Sequence, residues 1–178
     1  MTDGELIKLY LKDGDESAFT QLYQRYRKPV YSYLNDLFPH QSHAADDIFQ
    51  QTWLRVIDRL KKYKEKGTFL AWVLRIAHNF AMDHFRRSRR FCADENLESR
   101  SDDGPLPHDQ HGDREMKEAL EHAVVQLPME QREVVRLRQS GVSFAEIAVV
   151  QGVSVNTALG RMHYAVQRLR KDLAEFIE

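Results

Sequence analysis

Apolar residues return every third or fourth position in segment after segment of this chain, and strand signals are weak throughout, so the pattern predicts an all-α protein. Over 17–38, Phe19, Leu22, Tyr23, Tyr26, Val30, Tyr33, Leu34 and Leu37 make one broad stripe. Pro29 is placed to kink that helix, because proline removes a backbone donor. Residues 44–63 put Phe49, Trp53, Val56 and Leu60 on one face, and 69–90 turn Phe69, Trp72, Val73, Ile76, Ala77 and Phe80 inward. Three such helices can close one aromatic-rich bundle, predicted over residues 1–90.

The periodicity lapses over 91–113, where Pro105, Pro107 and a run of acidic residues predict an extended linker. It resumes near Arg114 and predicts a second small helical domain over 114–178. There, a helix to Gln126 is stopped by Leu127-Pro128, and another runs from Met129 to Gln139 with Gly141 as its C-terminal cap.

Net charge is −1 over 178 residues, which by itself argues against nucleic acid. Its distribution reverses that argument. Residues 53–90 hold 11 basic and 3 acidic side chains, and 91–114 hold 2 and 7, so a +8 block is followed at once by a −5 block. The single Cys92 cannot form an internal disulfide, and no Cys/His spacing reads as a metal site, so neither metal nor cofactor is expected. The start, MTDGELIKLYLKDGDE, lacks a basic head followed by an apolar run, and no stretch of ~18 apolar residues occurs. A cytoplasmic protein without membrane insertion is the expectation. No clustered carboxylates or histidines suggest catalysis, so the chain is not expected to be an enzyme.

The sharpest local signal spans 143–170. Ser143 and Glu146 form an S-x-x-E capping box opening a short helix through Val150; Gln151-Gly152-Val153 supplies a tight turn; Ser154 caps a second helix. Small Ala148 suits a close helix crossing. This is the layout of a helix-turn-helix, whose second helix enters the major groove with its N-terminal residues at base edges. On that helix Val155, Ala158, Met162, Ala165, Val166 and Leu169 are predicted inward. Asn156, Thr157, Gly160, Arg161, His163 and Tyr164 are left outside or at the margin. An ordinary helical hairpin with a polar face would look similar.

The basic block is the second signal. Arg75, Asn79, Arg86 and Arg90 share the face opposite the aromatic one, Arg87 stands among them in RRSRR, and Lys62, Lys64 and Lys66 approach from the preceding loop. Such a face suits phosphate neutralisation, while exposed aromatics can stack on unpaired bases. The alternative is a solvated face with Asp83 and Arg87 as an i,i+4 pair.

Together these segments closely resemble the extracytoplasmic-function (ECF) group of bacterial sigma factors, over about 18–90 and 116–173. Three stretches carry the resemblance: ADDIFQQTWLRV at 45–56, GTFLAWVLRIAHNFAMDHFRRSRR at 67–90, and ALEHAVVQLPMEQREVVRLRQSGVSFAEIAVVQGVSVNTALGRMHYAVQRLR at 119–170. The first is similar to the helix that grips the β′ clamp of RNA polymerase. The second is similar to the segment that opens and reads the minus-ten element, and the third to the domain that docks on the β flap and reads the minus-thirty-five element.

The resemblance implies polymerase contacts from Asp46, Asp47, Gln50, Gln51, Trp53 and Leu54, with Trp53 equally open to a core role. It implies minus-ten contacts from Lys62, Lys64, Lys66, Arg75, Asn79, Arg86, Arg87 and Arg90, with Asn79 holding a base flipped from the non-template strand. It implies minus-thirty-five contacts from Ser154, Asn156, Thr157, Gly160, Arg161, His163 and Tyr164. The chain departs from the group here, since lysine and serine contact positions have become Leu159 and Gly160 and an arginine has become Tyr164.

Also implied are an acidic linker threading toward the polymerase cleft, a cognate anti-sigma factor, a monomer when free, and a stress or envelope-response regulon. The rival reading is an autonomous helix-turn-helix regulator with an N-terminal sensing or dimerisation domain.

Overall fold

A computed structural model describes residues 1–64, 68–94 and 112–174, and every regular element among them is helical. The helices are α1 (Asp3–Asp13), α2 (Glu16–Leu37), α3 (Ser42–Arg59), α4 (Phe69–Asp94), α5 (Gly112–Val125), α6 (Met129–Gln139), α7 (Phe144–Gln151) and α8 (Val155–Asp172), with a 3₁₀ turn at Leu60–Lys62. Helix α2 runs through Pro29 without a break. Helix α4 continues to Asp94 and α5 begins at Gly112, so the expected linker is trimmed at both ends. Its remainder, with Pro105, Pro107, His108 and His111, lies outside the described residues, as does Lys66.

Helix α1 precedes the first of the predicted stripes. Its signal is local: the Thr2 hydroxyl accepts from Glu5 N at 3.3 Å, and the Glu5 carboxylate accepts from Thr2 N at 2.7 Å. The helix ends at Gly14, whose φ of 66° is in the left-handed region that glycine tolerates best. Leu6 and Ile7 then tie it into the core against α2.

The α2, α3 and α4 stripes meet as their spacing predicts. Leu22, Val30, Leu34, Val56, Leu60, Phe69, Val73 and Ala77 are almost wholly buried. A chain of tilted and edge-on ring contacts joins Phe19, Tyr23, Phe49 and Trp53. In the C-terminal part α6, α7 and α8 pack around Val134, Leu137, Ile147, Val150 and Ala158. Ala148, 5% exposed, sits at the close crossing its size suggested.

The two helical groups also pack on each other, through α4 against α7 and α2 against α6, and share one continuous apolar cluster. At its centre is a buried polar cluster around Glu133 of α6, whose side chain is fully enclosed. Its Oε1 accepts from the Tyr33 hydroxyl and lies 2.7 Å from His78 Nδ1; its Oε2 accepts from Gln151 Nε2 at 2.6 Å. Tyr33 and His78 come from α2 and α4, Glu133 and Gln151 from α6 and α7. Burial and the neighbouring carboxylate hold the Tyr33 phenol well above its ordinary pKa, so it remains a donor.

Candidate nucleic-acid interface

The outward face of α3 follows from the inward one. With Ala45, Ile48, Thr52 and Val56 buried, the helical period turns Asp47, Gln50, Gln51 and Leu54 to solvent. Leu54 is 65% exposed, and Ile57 extends its apolar surface. Asp46 is half-buried and accepts from the Tyr31 hydroxyl at 2.8 Å. Trp53 is 6% exposed and packs in the aromatic core, edge-on to Tyr23. Sequence reasoning missed Ile57 and Tyr31, which join this surface.

Between α3 and α4 lies an open cavity of about 160 Å³, lined by Arg55, Arg59, Ile76, Asn79, Phe80 and Asp83. The Arg55 guanidinium stands 5.7 Å over the Phe80 ring. Asn79 is exposed at this cavity, so an amide, two guanidinium groups and an aromatic face converge on one concave surface. A flat heterocycle with hydrogen-bonding edges fits that chemistry. Arg55 and Arg59 were not singled out in the sequence, where the excess of basic residues over 53–90 was their only signal, and Phe80 was expected only as an inward residue.

Lys62, Lys64, Arg86, Arg87 and Arg90 are all exposed. Asp83 pairs with Arg86 at 2.5 Å rather than with Arg87 as the solvated-face reading supposed, because the i,i+3 neighbour reaches it first. Arg75 is engaged differently. Its Nη1 donates to the Val149 carbonyl at 2.5 Å, at the C-terminal end of α7, where carbonyls and dipole favour a cation. Gly152 has a φ of 66°, and a Cβ there would lie 3.3 Å from Arg75 Nη1, so glycine serves both the turn and this approach. Nearby, the Thr68 hydroxyl donates to Glu146 Oε1 at 2.6 Å.

Ser143 and Glu146 form the expected capping box, and the Ser154 hydroxyl accepts from Thr157 N at 3.1 Å to start α8. Asn156, His163 and Tyr164 are exposed. Arg161 is only partly so, donating to Gln151 Oε1 at 2.8 Å and thus joining the Glu133 cluster at second hand. Val155, expected inward, is 43% exposed: the helix seats itself on Ala158 and Ala165, and the first turn projects beyond the core. Leu159 is 44% exposed on the same side.

The Glu146 carboxyl is held below the usual carboxylate range, first by the Ser143 hydroxyl and then by Thr68. Its contribution to stability is therefore present above its unfolded value near 4.5 and lost as pH falls through the lower folded value. Thermal melts between about pH 5 and pH 3 should show Glu146→Gln converging on the wild type at the acid end.

No helix among the described residues is long and apolar enough to cross a membrane, and none of their His, Cys, Asp and Glu side chains group as a metal site. The described residues form two packed helical groups, one with a cavity lined by Arg55 and Arg59 and one with a helix-turn-helix. Residues 22–91 match the family described as Sigma-70 region 2, and 117–173 match Sigma-70, region 4. The RNA polymerase sigma factor CarQ of Myxococcus xanthus is 31% identical over 92% of this chain and 94% of its own. The ECF RNA polymerase sigma factor SigW of Bacillus subtilis is 26% identical over 93% and 94%.

The fold is shared with the sigma factor RpoE of Bartonella quintana, solved with the anti-sigma factor NepR. That match has a TM-score of 0.69 and 20% identity, and covers 88% of this chain and 96% of the other. CnrH, solved with the cytosolic domain of CnrY, matches at 0.66 and 21%, over 98% and 99%. The chain belongs to the ECF group of the sigma-70 family of bacterial RNA polymerase sigma factors. Its function is promoter-directed initiation of transcription with RNA polymerase.

Proposed function

We propose that three surfaces divide this work. The outer face of α3, with Asp47, Gln50, Gln51 and Leu54, meets core polymerase at the β′ clamp, and the helix-turn-helix group meets the β flap. The cavity between α3 and α4 receives a base turned out of the non-template strand, with Asn79 at its edge and Lys62, Lys64, Arg86, Arg87 and Arg90 on neighbouring phosphates. The first half of α8 reads the minus-thirty-five element. The observation that carries this reading is the cavity, where amide, guanidinium and aromatic groups meet on the segment matched to region 2.

The packed arrangement is then the unengaged state. Elements named for positions ten and thirty-five are 25 base pairs apart, about 85 Å along B-DNA at 3.4 Å per pair. A compact chain of 178 residues has a radius of gyration near 16 Å and a width of about 40 Å. One molecule reaches both elements only if its helical groups part, which also releases Arg75 from Val149. An inhibitory protein partner covering α3 is proposed by analogy with RpoE and NepR, and the cytoplasm is the proposed location.

Run-off transcription with core polymerase on a genomic library tests the whole. Wild type should yield discrete starts, Asp47→Ala should bind core weakly, and Asn79→Ala should bind core but open promoters poorly. Tight binding of a specific duplex without polymerase, and no initiation with it, would sink the reading. Leu54→Glu offers a cleaner probe of the clamp face. It should weaken core binding more than tenfold, as an apolar contact is exchanged for a buried charge, yet move the melting temperature by only about 1–2 °C.

A further inference from the structure

Val155 and Leu159 stand four residues apart on the first turns of α8, both more than two-fifths exposed. The fold uses neither, since α8 is buried through Ala158 and Ala165. Beside them is Gly160, which is unfavourable in a helix interior relative to alanine. A Cβ there would meet nothing within 4 Å, so no packing inside the chain requires glycine. A leucine left in water beside a glycine that folding does not need suits a surface approaching closely from outside.

Chemistry identifies that surface. In a helix-turn-helix, the N-terminal residues of the second helix reach base edges in the major groove. The one apolar group on those edges is the C5 methyl of thymine. We propose that Val155 and Leu159 form an apolar edge that reads thymine methyl groups in the minus-thirty-five element, with Gly160 letting the backbone come close to the groove. The proposal rests on the reading of α8 as the minus-thirty-five helix.

Cytosine at the same place would set its amino donor against leucine and lose a hydrogen bond to water, so the edge discriminates as well as binds. The apolar edge is framed by exposed Asn156, Thr157, His163 and Tyr164. That frame suits bases and phosphates better than an apolar protein face.

The test loads core polymerase with the full chain and selects minus-thirty-five sequences from a promoter library randomised there. Each selected thymine is then replaced by deoxyuridine, which pairs identically and lacks only the methyl group. Initiation should fall about fourfold where a methyl meets the edge, the equilibrium value of one buried methyl. Leu159→Ala should use thymine and deoxyuridine alike while melting as wild type does. Gly160→Ala should melt about 2–4 °C higher yet initiate less from the selected element.

An enriched element whose thymines all tolerate deoxyuridine would overturn the proposal alone, as would Leu159→Ala keeping the wild-type preference. A library with no enriched upstream sequence would overturn the reading of α8 as well. Loss of core binding by Leu159→Ala would assign the edge to protein and overturn the proposal too.

Discussion

Replacing Glu133 by alanine should lower the melting temperature by roughly 6–20 °C and enlarge the molecule. The carboxylate is fully enclosed and serves Tyr33, His78 and Gln151 together, so its removal leaves three buried polar groups without that partner. Breaking a buried pair by deleting one member costs about 3–5 kcal/mol, and a chain of this size loses about 2–4 °C per kcal/mol. Because Tyr33 and His78 face Glu133 across the junction of the helical groups, parting the groups returns all of them to water. Scattering should therefore show a radius of gyration rising from near 16 Å before the helices melt. Glu133→Gln keeps the shape and one acceptor and should be milder. If closure also competes with polymerase, Glu133→Ala should bind core more tightly, because the fraction of competent molecules rises. A variant that melts and scatters like the wild type would remove the cluster from the account.

Asn79→Ala should reduce promoter opening by roughly 5- to 150-fold with core binding intact. An amide that makes a bidentate pair with one base edge is worth about 1–3 kcal/mol, and that energy must help recover the cost of unstacking. The side chain is exposed, so the fold should not register its loss. Arg55→Ala provides the comparison. Its guanidinium lies over Phe80 at the same cavity, and its loss should lower opening too, with a shallower dependence on salt. Permanganate footprinting of holoenzyme on a bubble-forming promoter measures both. Opening by Asn79→Ala equal to wild type would place base capture elsewhere.

Periodicity found the helices because each buries its own stripe, and caps such as Ser143–Glu146 and Ser154 mark ends by interactions spanning only three residues. The same local logic was available at Thr2–Glu5, where the short apolar stripe of α1 hid it. Glu133 was invisible for the opposite reason. Its partners Tyr33 and His78 are 100 and 55 residues away, and nothing near Glu133 in the chain distinguishes a buried carboxylate from a surface one.

The cavity was half legible. The basic count pointed to the block that contributes Arg55 and Arg59, and Asn79 does line the cavity, but concavity arises only when α3 brings those arginines alongside Phe80. On α8, Val155 followed the apolar rule inward and was misplaced, because the helix contacts the core through its small alanines and leaves its first turn outside. Arg161 went the other way, drawn toward Gln151 from a position that reads as marginal.

Separation of the closed helical groups to span a promoter is tested by one distance. Fluorophores on cysteines replacing exposed Lys28 and Arg168, with Cys92→Ser, report the separation of the groups. The free chain should give one short distance, within about 40 Å. The transcription-competent complex on promoter DNA should give one longer by tens of ångströms, toward the roughly 85 Å between the elements. An unchanged short distance in a complex that initiates, or a free chain already extended, would contradict the account.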